Sequence, residues 1–295
     1  MSLQWFPDVL ILSPCGILGF TQLGILIKLY NEDLFKNLKK IVGVSAGSII
    51  AFLLSCGYKP IEIITESPSL ELMTDFTNIN LSEAKSNHKL VTNTNLRSTL
   101  EFLVKKKLAL VPTLEQLYNF SGIELVVVTF NFTKEQTEYI SYKNEPNLSA
   151  VDAVLLSANI SLPFYLMKYK NCIYLDGGIS DPYPVDKYDD GKTKILGIYI
   201  TTSKKVVDED IISYLYKIIN TNISISCKSK VHNSSNNCKH ILVEYLESFE
   251  SINAETKGIL IMKGYNEACE FIEKLKTEEV EDADTTNNDV ELYES

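Results

Sequence analysis

The pentapeptide Gly-Val-Ser-Ala-Gly at residues 43–47 constrains the fold of this chain more than any other segment. An apolar run ending at Val42 precedes it, and an apolar stretch that ends at Gly57 follows it. A buried strand, a sharp turn and a helix closed by glycine produce this pattern. Gly-x-Ser-x-Gly at such a turn exposes the serine hydroxyl, because its glycines leave no Cβ to collide with the strand and the helix. Ser45 is therefore a candidate nucleophile. The alternative is a tight turn in which a buried serine caps the helix.

A serine hydroxyl needs a base, and the sequence offers two arrangements. In the first, Ser45, Asp176 and either His232 or His240 follow the chain order of ordinary α/β-hydrolases. Two observations disfavour it. Only one candidate strand precedes the pentapeptide, and both histidines lie in or beside His-Asn-Ser-Ser-Asn-Asn-Cys-Lys-His, a polar stretch typical of a solvated loop. In the second arrangement Asp176, the acid of an Asp-Gly-Gly sequence, activates Ser45 directly.

Five sequence blocks occur in the order found in one enzyme family. They are Leu-Ser-Pro-Cys-Gly-Ile-Leu-Gly-Phe at 12–20, the pentapeptide, Ala-Val-Leu-Leu-Ser-Ala-Asn-Ile-Ser-Leu-Pro-Phe-Tyr-Leu at 153–166, Tyr-Leu-Asp-Gly-Gly-Ile-Ser-Asp-Pro-Tyr-Pro-Val at 174–185, and a closing helix with Gly264, Tyr265, Ala268 and Phe271. Through these blocks most of the first 275 residues resemble the patatin-like phospholipases. Any single block would be a weak signal, but five in order are specific.

This resemblance implies a lipid acyl hydrolase of the phospholipase A or lysophospholipase type. Ser45 would attack an ester carbonyl, and Asp176 would act as general base without a histidine. Backbone N–H groups at Cys15, Gly16, Ile17 and Ala46 would form the oxyanion hole, with Gly43, Gly47, Gly177 and Gly178 supporting the two turns. The resemblance implies no metal or organic cofactor. It implies a phospholipid or another lipid ester, met at a membrane surface, as substrate.

The chain departs from the family at four positions. The family has roughly Gly-Gly-Gly-x-Arg/Lys-Gly in its oxyanion loop, whereas this chain has Pro14, which lacks an N–H group, Cys15 in place of a second glycine, and Leu18 in place of the basic residue. Pro182 stands where the family usually has asparagine. These changes leave two alternatives open. One is a non-catalytic lipid-binding or scaffold protein with a degenerate oxyanion loop. The other is an acyltransferase or triglyceride lipase of the same fold.

Apolar periodicity predicts an α/β fold with three α/β/α layers and a mainly parallel central sheet. The predicted strands are residues 8–13, 39–44, 123–131, 137–142, 171–175, 194–201 and 239–245. The predicted helices are 18–31, 46–57, 94–108, 149–158, 207–219 and 254–276. We expect one catalytic domain over residues 1–276, in which 67–120 form an irregular insertion and a candidate lid.

Charge and cysteine content narrow the possible partners. Residues 277–295 hold eight of the 38 acidic residues and no lysine or arginine, which predicts a disordered acidic tail able to recruit a protein partner. The remaining 30 acidic and 28 basic residues nearly balance, so the body offers no basic field for nucleic acid.

Six scattered cysteines and a poor signal peptide predict a cytoplasmic protein, with transient membrane association expected of a lipid hydrolase. Cys227, His232, Cys238 and His240 match no standard zinc spacing, so no metal site is predicted.

Overall fold

The apolar runs predicted as strands form one twisted sheet in the computed structural model, which describes residues 3–66, 94–159, 167–202, 211–246 and 253–291. Its strands are β1 (Val9–Leu12), β2 (Lys40–Val44), β3 (Glu124–Asn131), β4 (Gln136–Ile140), β5 (Met167–Tyr169), β6 (Cys172–Asp176), β7 (Ile195–Thr202) and β8 (Cys238–Tyr245). The order is β5-β6-β3-β2-β1-β7-β8, with β4 also paired to β3. Neighbours from β3 through β8 along this path are parallel, whereas β4 and β6 run antiparallel to β3 and β5 runs antiparallel to β6.

Helices cover both faces of the sheet. They are α1 (Gly19–Asn31), α2 (Ala46–Ser55), α3 (Pro60–Thr65), α4 (Thr94–Leu108), α5 (Leu114–Ser121), α6 (Ala150–Ser157), α7 (Val185–Tyr188), α8 (Ile211–His232) and α9 (Ala254–Glu291). Side chains alternate across β1, so Leu10 and Leu12 belong to one buried apolar cluster and Val9 and Ile11 to another. Burial on both faces explains why the central strands are continuous apolar runs. The predicted three-layer fold with a mainly parallel sheet is confirmed.

The candidate lid is partly ordinary helix. Residues 94–120 of that segment form α4 and most of α5, which contribute buried leucines such as Leu100 and Leu117 to the core. The sequence predicted α4 but not α5, although Thr113 and Gln116 form a capping box before it and Gly122 ends it in a left-handed conformation. Residues 67–93 of the candidate lid lie outside the described residues.

In the C-terminal region, α9 runs from the body of the protein into the acidic tail and ends at Glu291. Two tail glutamates contact the body of the protein. Glu278 accepts a hydrogen bond from Lys239 Nζ at 2.5 Å, and Glu279 Oε1 accepts from the backbone N–H groups of Gln4 and Trp5 at 2.9 and 2.7 Å. In the described part of the chain, no helix is both long enough and apolar enough to cross a membrane.

Candidate active site

The pentapeptide forms a strained turn between β2 and α2. Ser45 has φ 55° and ψ −125°, an unfavourable backbone conformation for a residue with a side chain. A Cβ on Gly43 would lie 2.8 Å from the carbonyl oxygen of Gly47, and a Cβ on Gly47 would lie 2.5 Å from that of Leu12. Both positions therefore require glycine. The turn is fixed further by the Ser45 N–H group, which donates to Ser157 Oγ on α6 at 2.9 Å.

Asp176 is the last residue of β6, and it lies against the serine. Its Oδ2 accepts a hydrogen bond from Ser45 Oγ at 2.6 Å, and its Oδ1 accepts one from the N–H group of Gly178 at 2.8 Å. Gly177 and Gly178 begin a short 3-10 turn, and a Cβ on Gly177 would overlap the backbone carbonyl of Val128. The structure thus brings together the predicted nucleophile and the predicted acid, which are 131 residues apart in sequence.

Burial gives Asp176 unusual acid–base properties. Its side chain is almost inaccessible, and desolvation raises the pKa of the carboxyl group to about 6, although the hydrogen bonds from Ser45 and Gly178 act in the opposite direction. Among the described residues, no lysine or arginine forms a salt bridge with Asp176. A carboxyl group with a pKa near 6 is ionised at neutral pH and can still hold a proton briefly, as a general base must.

The histidines that sequence analysis considered have other contacts. His232 ends α8, and His240 lies on β8, inside the predicted strand 239–245, so only residues 233–237 of the polar stretch connect the two elements. His240 is partly buried between Tyr183 Oη and Ser234 Oγ, each 2.8 Å from one ring nitrogen. Burial lowers its pKa to about 4. His88 lies outside the described residues.

The described residues contain no group of three or more His, Cys, Asp or Glu side chains arranged to hold a metal ion. Cys227 and Cys238, which the sequence placed beside these histidines, are buried in the apolar cluster on one face of the sheet. All six cysteines are free thiols.

The predicted oxyanion loop borders both turns. Cys15 precedes a 3-10 turn at Gly16–Leu18, where the first N–H groups have no acceptor within the turn. Gly16 has φ 46°, and a Cβ there would meet no atom within 4 Å. A Cβ on Gly178 would lie 3.3 Å from Pro14 Cγ, so the loop packs directly beside the Asp176 turn. The loop therefore lies beside the turn that carries Asp176, and Ala46, the fourth predicted donor, is the first residue of α2.

The loop is braced by a side chain that sequence analysis missed. Gln22 is fully buried on α1; its Nε2 donates to the carbonyl oxygen of Ser13 at 3.2 Å, and its Oε1 accepts from the Cys15 thiol at 3.6 Å. Burial raises the pKa of Cys15 far above its usual value, so the thiol stays protonated. The available signal in the sequence was a glutamine within the mostly apolar first turns of α1.

Two further polar residues, which sequence analysis did not predict as site residues, help to hold Asp176 beside the turn that carries Ser45. Ser157 accepts the Ser45 N–H bond described above. Thr129 Oγ1 lies within hydrogen-bonding distance of the carbonyl oxygens of Leu156 and Leu175, at 2.9 and 3.0 Å, and so joins α6 to β6 beside Asp176. Both are polar residues inside apolar runs, which marks their positions in the sequence but not their contacts.

Comparison with known proteins identifies the family. The family model for patatin-like phospholipase matches residues 10–187, more than half of the chain. The chain belongs to the patatin-like phospholipase family. It is 31% identical over 226 residues to "Probable lipid hydrolase 463L" of Invertebrate iridescent virus 6, a match covering 72% of this chain and 76% of that protein. It is also 31% identical over 196 residues to "Uncharacterized protein R571" of Acanthamoeba polyphaga mimivirus, covering 64% of each chain.

Solved structures show the same fold. VipD from Legionella pneumophila aligns with a TM-score of 0.57 and 19% identity, covering 91% of this chain and 67% of VipD. ExoU from Pseudomonas aeruginosa, determined as a heterodimer with SpcU, aligns with a TM-score of 0.52 and 16% identity, covering 92% of this chain and 52% of ExoU. The chain therefore spans about half the length of ExoU. Membership in the family and the lipid-hydrolase relative support lipid hydrolase activity in this patatin-like protein.

Proposed function

We propose that this patatin-like protein is a phospholipase A or lysophospholipase that forms an acyl-enzyme on Ser45, with Asp176 as its general base. The observation that carries the proposal is the 2.6 Å hydrogen bond from Ser45 Oγ to Asp176 Oδ2, made by a carboxyl group whose pKa is raised to about 6. A serine in direct contact with a near-neutral base has the arrangement that nucleophilic catalysis requires.

The first half of the reaction forms the acyl-enzyme. Asp176 takes the Ser45 proton as Oγ attacks the ester carbonyl carbon. N–H groups at Cys15, Gly16, Ile17 and Ala46 stabilise the negative oxygen of the tetrahedral intermediate. The carbon–oxygen bond to the alcohol then breaks, and Asp176 passes its proton to the departing oxygen.

The second half regenerates the serine. Water attacks the acyl carbonyl carbon while Asp176 accepts one of its protons. The same backbone donors stabilise the second tetrahedral intermediate. Ser45 Oγ leaves with the proton held by Asp176, and the fatty acid is released. No metal or organic cofactor enters these steps.

Apolar residues beside the nucleophile support a fatty acyl substrate. Ile17 lies in the oxyanion turn and is partly buried, whereas Ile179 lies in the turn after Asp176 and is partly exposed. The two turns meet where Pro14 packs against Gly178. An acyl chain reaching Ser45 between these turns would therefore contact apolar side chains.

The direct test measures fatty-acid release from mixed phospholipid vesicles, with the products identified by mass spectrometry. We expect release by the wild type that Ser45→Ala and Asp176→Asn abolish. Ser55→Ala is the matched control, because it removes another buried serine hydroxyl, one bonded to the Ala51 carbonyl oxygen on the same helix. The products also distinguish the phospholipase A and lysophospholipase types from acyl transfer.

Two outcomes would contradict the proposal. Hydrolysis by Ser45→Ala at the wild-type rate would exclude the acyl-serine. The absence of release by folded, vesicle-bound wild type would favour a lipid-binding protein whose oxyanion loop, altered at Pro14 and Leu18, no longer supports catalysis.

A further inference from the structure

A charged cluster centred on the buried Asp181 holds the segment that follows Asp176. Asp181 Oδ2 accepts a hydrogen bond from Tyr139 Oη at 2.5 Å, and Asp181 Oδ1 accepts one from Lys230 Nζ at 2.7 Å. Lys230 Nζ also lies 2.7 Å from Asp186 Oδ1 on α7. We call these four residues the acid-turn anchor. They join β4, the segment after β6, α7 and α8, which are distant in sequence.

Backbone hydrogen bonds connect the anchor to the acid. The N–H group of Asp181 donates to the carbonyl oxygen of Gly177 at 3.0 Å, and the N–H group of Gly178 donates to Asp176 Oδ1 at 2.8 Å. Gly177 itself has no freedom to shift toward β3, because it packs against the backbone of Val128. A displacement of Asp181 would therefore move the N–H donor that orients the carboxylate of Asp176.

The charge balance of the anchor depends on Lys230. Asp181 is 7% exposed, whereas the side chain of Asp186 is 60% exposed and well hydrated. Burial lowers the pKa of Lys230, but its hydrogen bonds to the two aspartates outweigh that effect and raise it, so the lysine stays charged. Without Lys230, Asp181 would be a buried carboxylate with no cation, and it would move outward toward water.

We propose that Lys230 is a positioning residue for Asp176, acting through Asp181 and the Gly177–Gly178 turn. This inference rests on the proposed function, since it assigns Lys230 a role in the same reaction. Lys230 lies outside residues 10–187, which the family model matches, so the assignment comes from this chain's own contacts. A small displacement of a reacting group reduces the rate by up to about 100-fold.

The test compares three variants for the rate at which a fluorophosphonate labels Ser45. Lys230→Met should reduce the rate about 10- to 100-fold, and Lys230→Arg, which keeps the charge, should restore most of it. Lys143→Met is the matched control, because Lys143 Nζ also lies 2.7 Å from a buried carboxylate, Glu124, but at the opposite end of β3. We expect it to be labelled at the wild-type rate.

A second readout follows the carboxyl carbon of Asp176 by NMR titration. The bond from the Gly178 N–H group lowers the pKa of Asp176, so loosening the turn in Lys230→Met should move the titration midpoint upward. A role confined to stability would not move it. Tyr139→Phe removes the other bond to Asp181 without changing a charge, and it should slow labelling several-fold even if Lys230→Met does not fold.

The outcomes separate this inference from the proposed function. If wild type is labelled and both Lys230→Met and Tyr139→Phe match Lys143→Met in rate and midpoint, the positioning role is wrong and the proposed function stands. If wild type is not labelled but the Asp176 titration midpoint moves in Lys230→Met, the proposed function is wrong, and only the structural coupling of Lys230 to the Asp176 carboxyl group stands. An unlabelled wild type with an unmoved midpoint would overturn both.

Discussion

Two buried carboxylates at opposite ends of β3 have opposite electrostatic environments. Glu124 begins β3 and is 6% exposed; Asp176 pairs with Thr129 toward the other end and is 8% exposed. Burial raises the pKa of Glu124, but hydrogen bonds from Lys143 and Ser141 and the charge of Lys40 outweigh it and lower the pKa. Within the described ranges, Asp176 accepts hydrogen bonds from Ser45 and Gly178, both neutral, and desolvation raises its pKa to about 6.

The difference shows that two carboxyl groups buried to a similar extent can have pKa values shifted in opposite directions. At the amino ends of β2 and β3, two lysines keep Glu124 ionised, and the acid stabilises the fold. Beside Ser45, Asp176 has no lysine or arginine partner in the part of the chain that the structure describes, so its ionised form is less stable than in water. A carboxylate in that state accepts a proton readily. Burial of Asp176 therefore lowers the stability of the fold and makes the carboxylate more basic.

Removing the cations around Glu124 should produce the largest change in stability. Lys40→Met/Lys143→Met would remove both cations from a buried carboxylate, and we expect it to lower the free energy of unfolding by about 3–5 kcal/mol. Urea denaturation measures this change. Adding Glu124→Gln should recover most of the loss, and a double variant as stable as wild type would show that Glu124 is hydrated instead.

Removing the charge at Asp176 should have the opposite effect. The folded-state pKa lies above the unfolded value, so ionisation destabilises the wild type as pH rises from about 4 to about 6. Asp176→Asn avoids this loss, and above pH 6 we expect it to unfold with a free energy about 3 kcal/mol higher than wild type. Below pH 4 the difference should vanish. Denaturation across this pH range checks the sign, and a variant less stable than wild type at pH 8 would contradict it.

Substitution of two glycines, one beside the site and one far from it in sequence, should change the free energy of unfolding by a smaller amount. Gly16, in the oxyanion turn, and Gly122, after α5, both have a left-handed backbone with open space around a Cβ. Alanine at either position should destabilise the fold by about 1–2 kcal/mol. Only Gly16→Ala should also lower kcat for lipid hydrolysis, about 10- to 100-fold, because it alters donor geometry in the proposed oxyanion hole. Equal kcat values in the two variants would remove that loop from the mechanism.

Local sequence patterns predicted those structural features that depend on residues close together in the chain. The sharp turn at Ser45 could be predicted from Gly43 and Gly47, because the turn leaves no room for a side chain at either position. The central strands could be predicted from their continuous apolar runs. The pairing of Ser45 with Asp176 was expected from the resemblance of several blocks, since spacing alone left a histidine arrangement open. α5 was missed although its capping box is legible in the sequence.

Apart from the pairing of Ser45 with Asp176, contacts between residues distant in sequence could not be predicted. Lys230 reaches Asp181 across 49 positions, and Ser157 accepts the Ser45 N–H bond across 112. No local pattern marks such partners, because their meeting depends on how the sheet and helices pack. The contacts of the acidic tail could not be predicted for the same reason, since composition does not show that Glu279 bonds to the backbone of Gln4 and Trp5.

The central claim is that Asp176 activates Ser45 directly. The most direct measurement is the pH dependence of fluorophosphonate labelling in wild type, Asp176→Asn and His240→Asn. We expect wild-type labelling to rise with pH with a midpoint near 6, because only the ionised carboxylate can accept the serine proton. His240→Asn should give the same curve, and Asp176→Asn should not be labelled. Labelling lost in His240→Asn, or retained at the wild-type rate in Asp176→Asn, would contradict the claim.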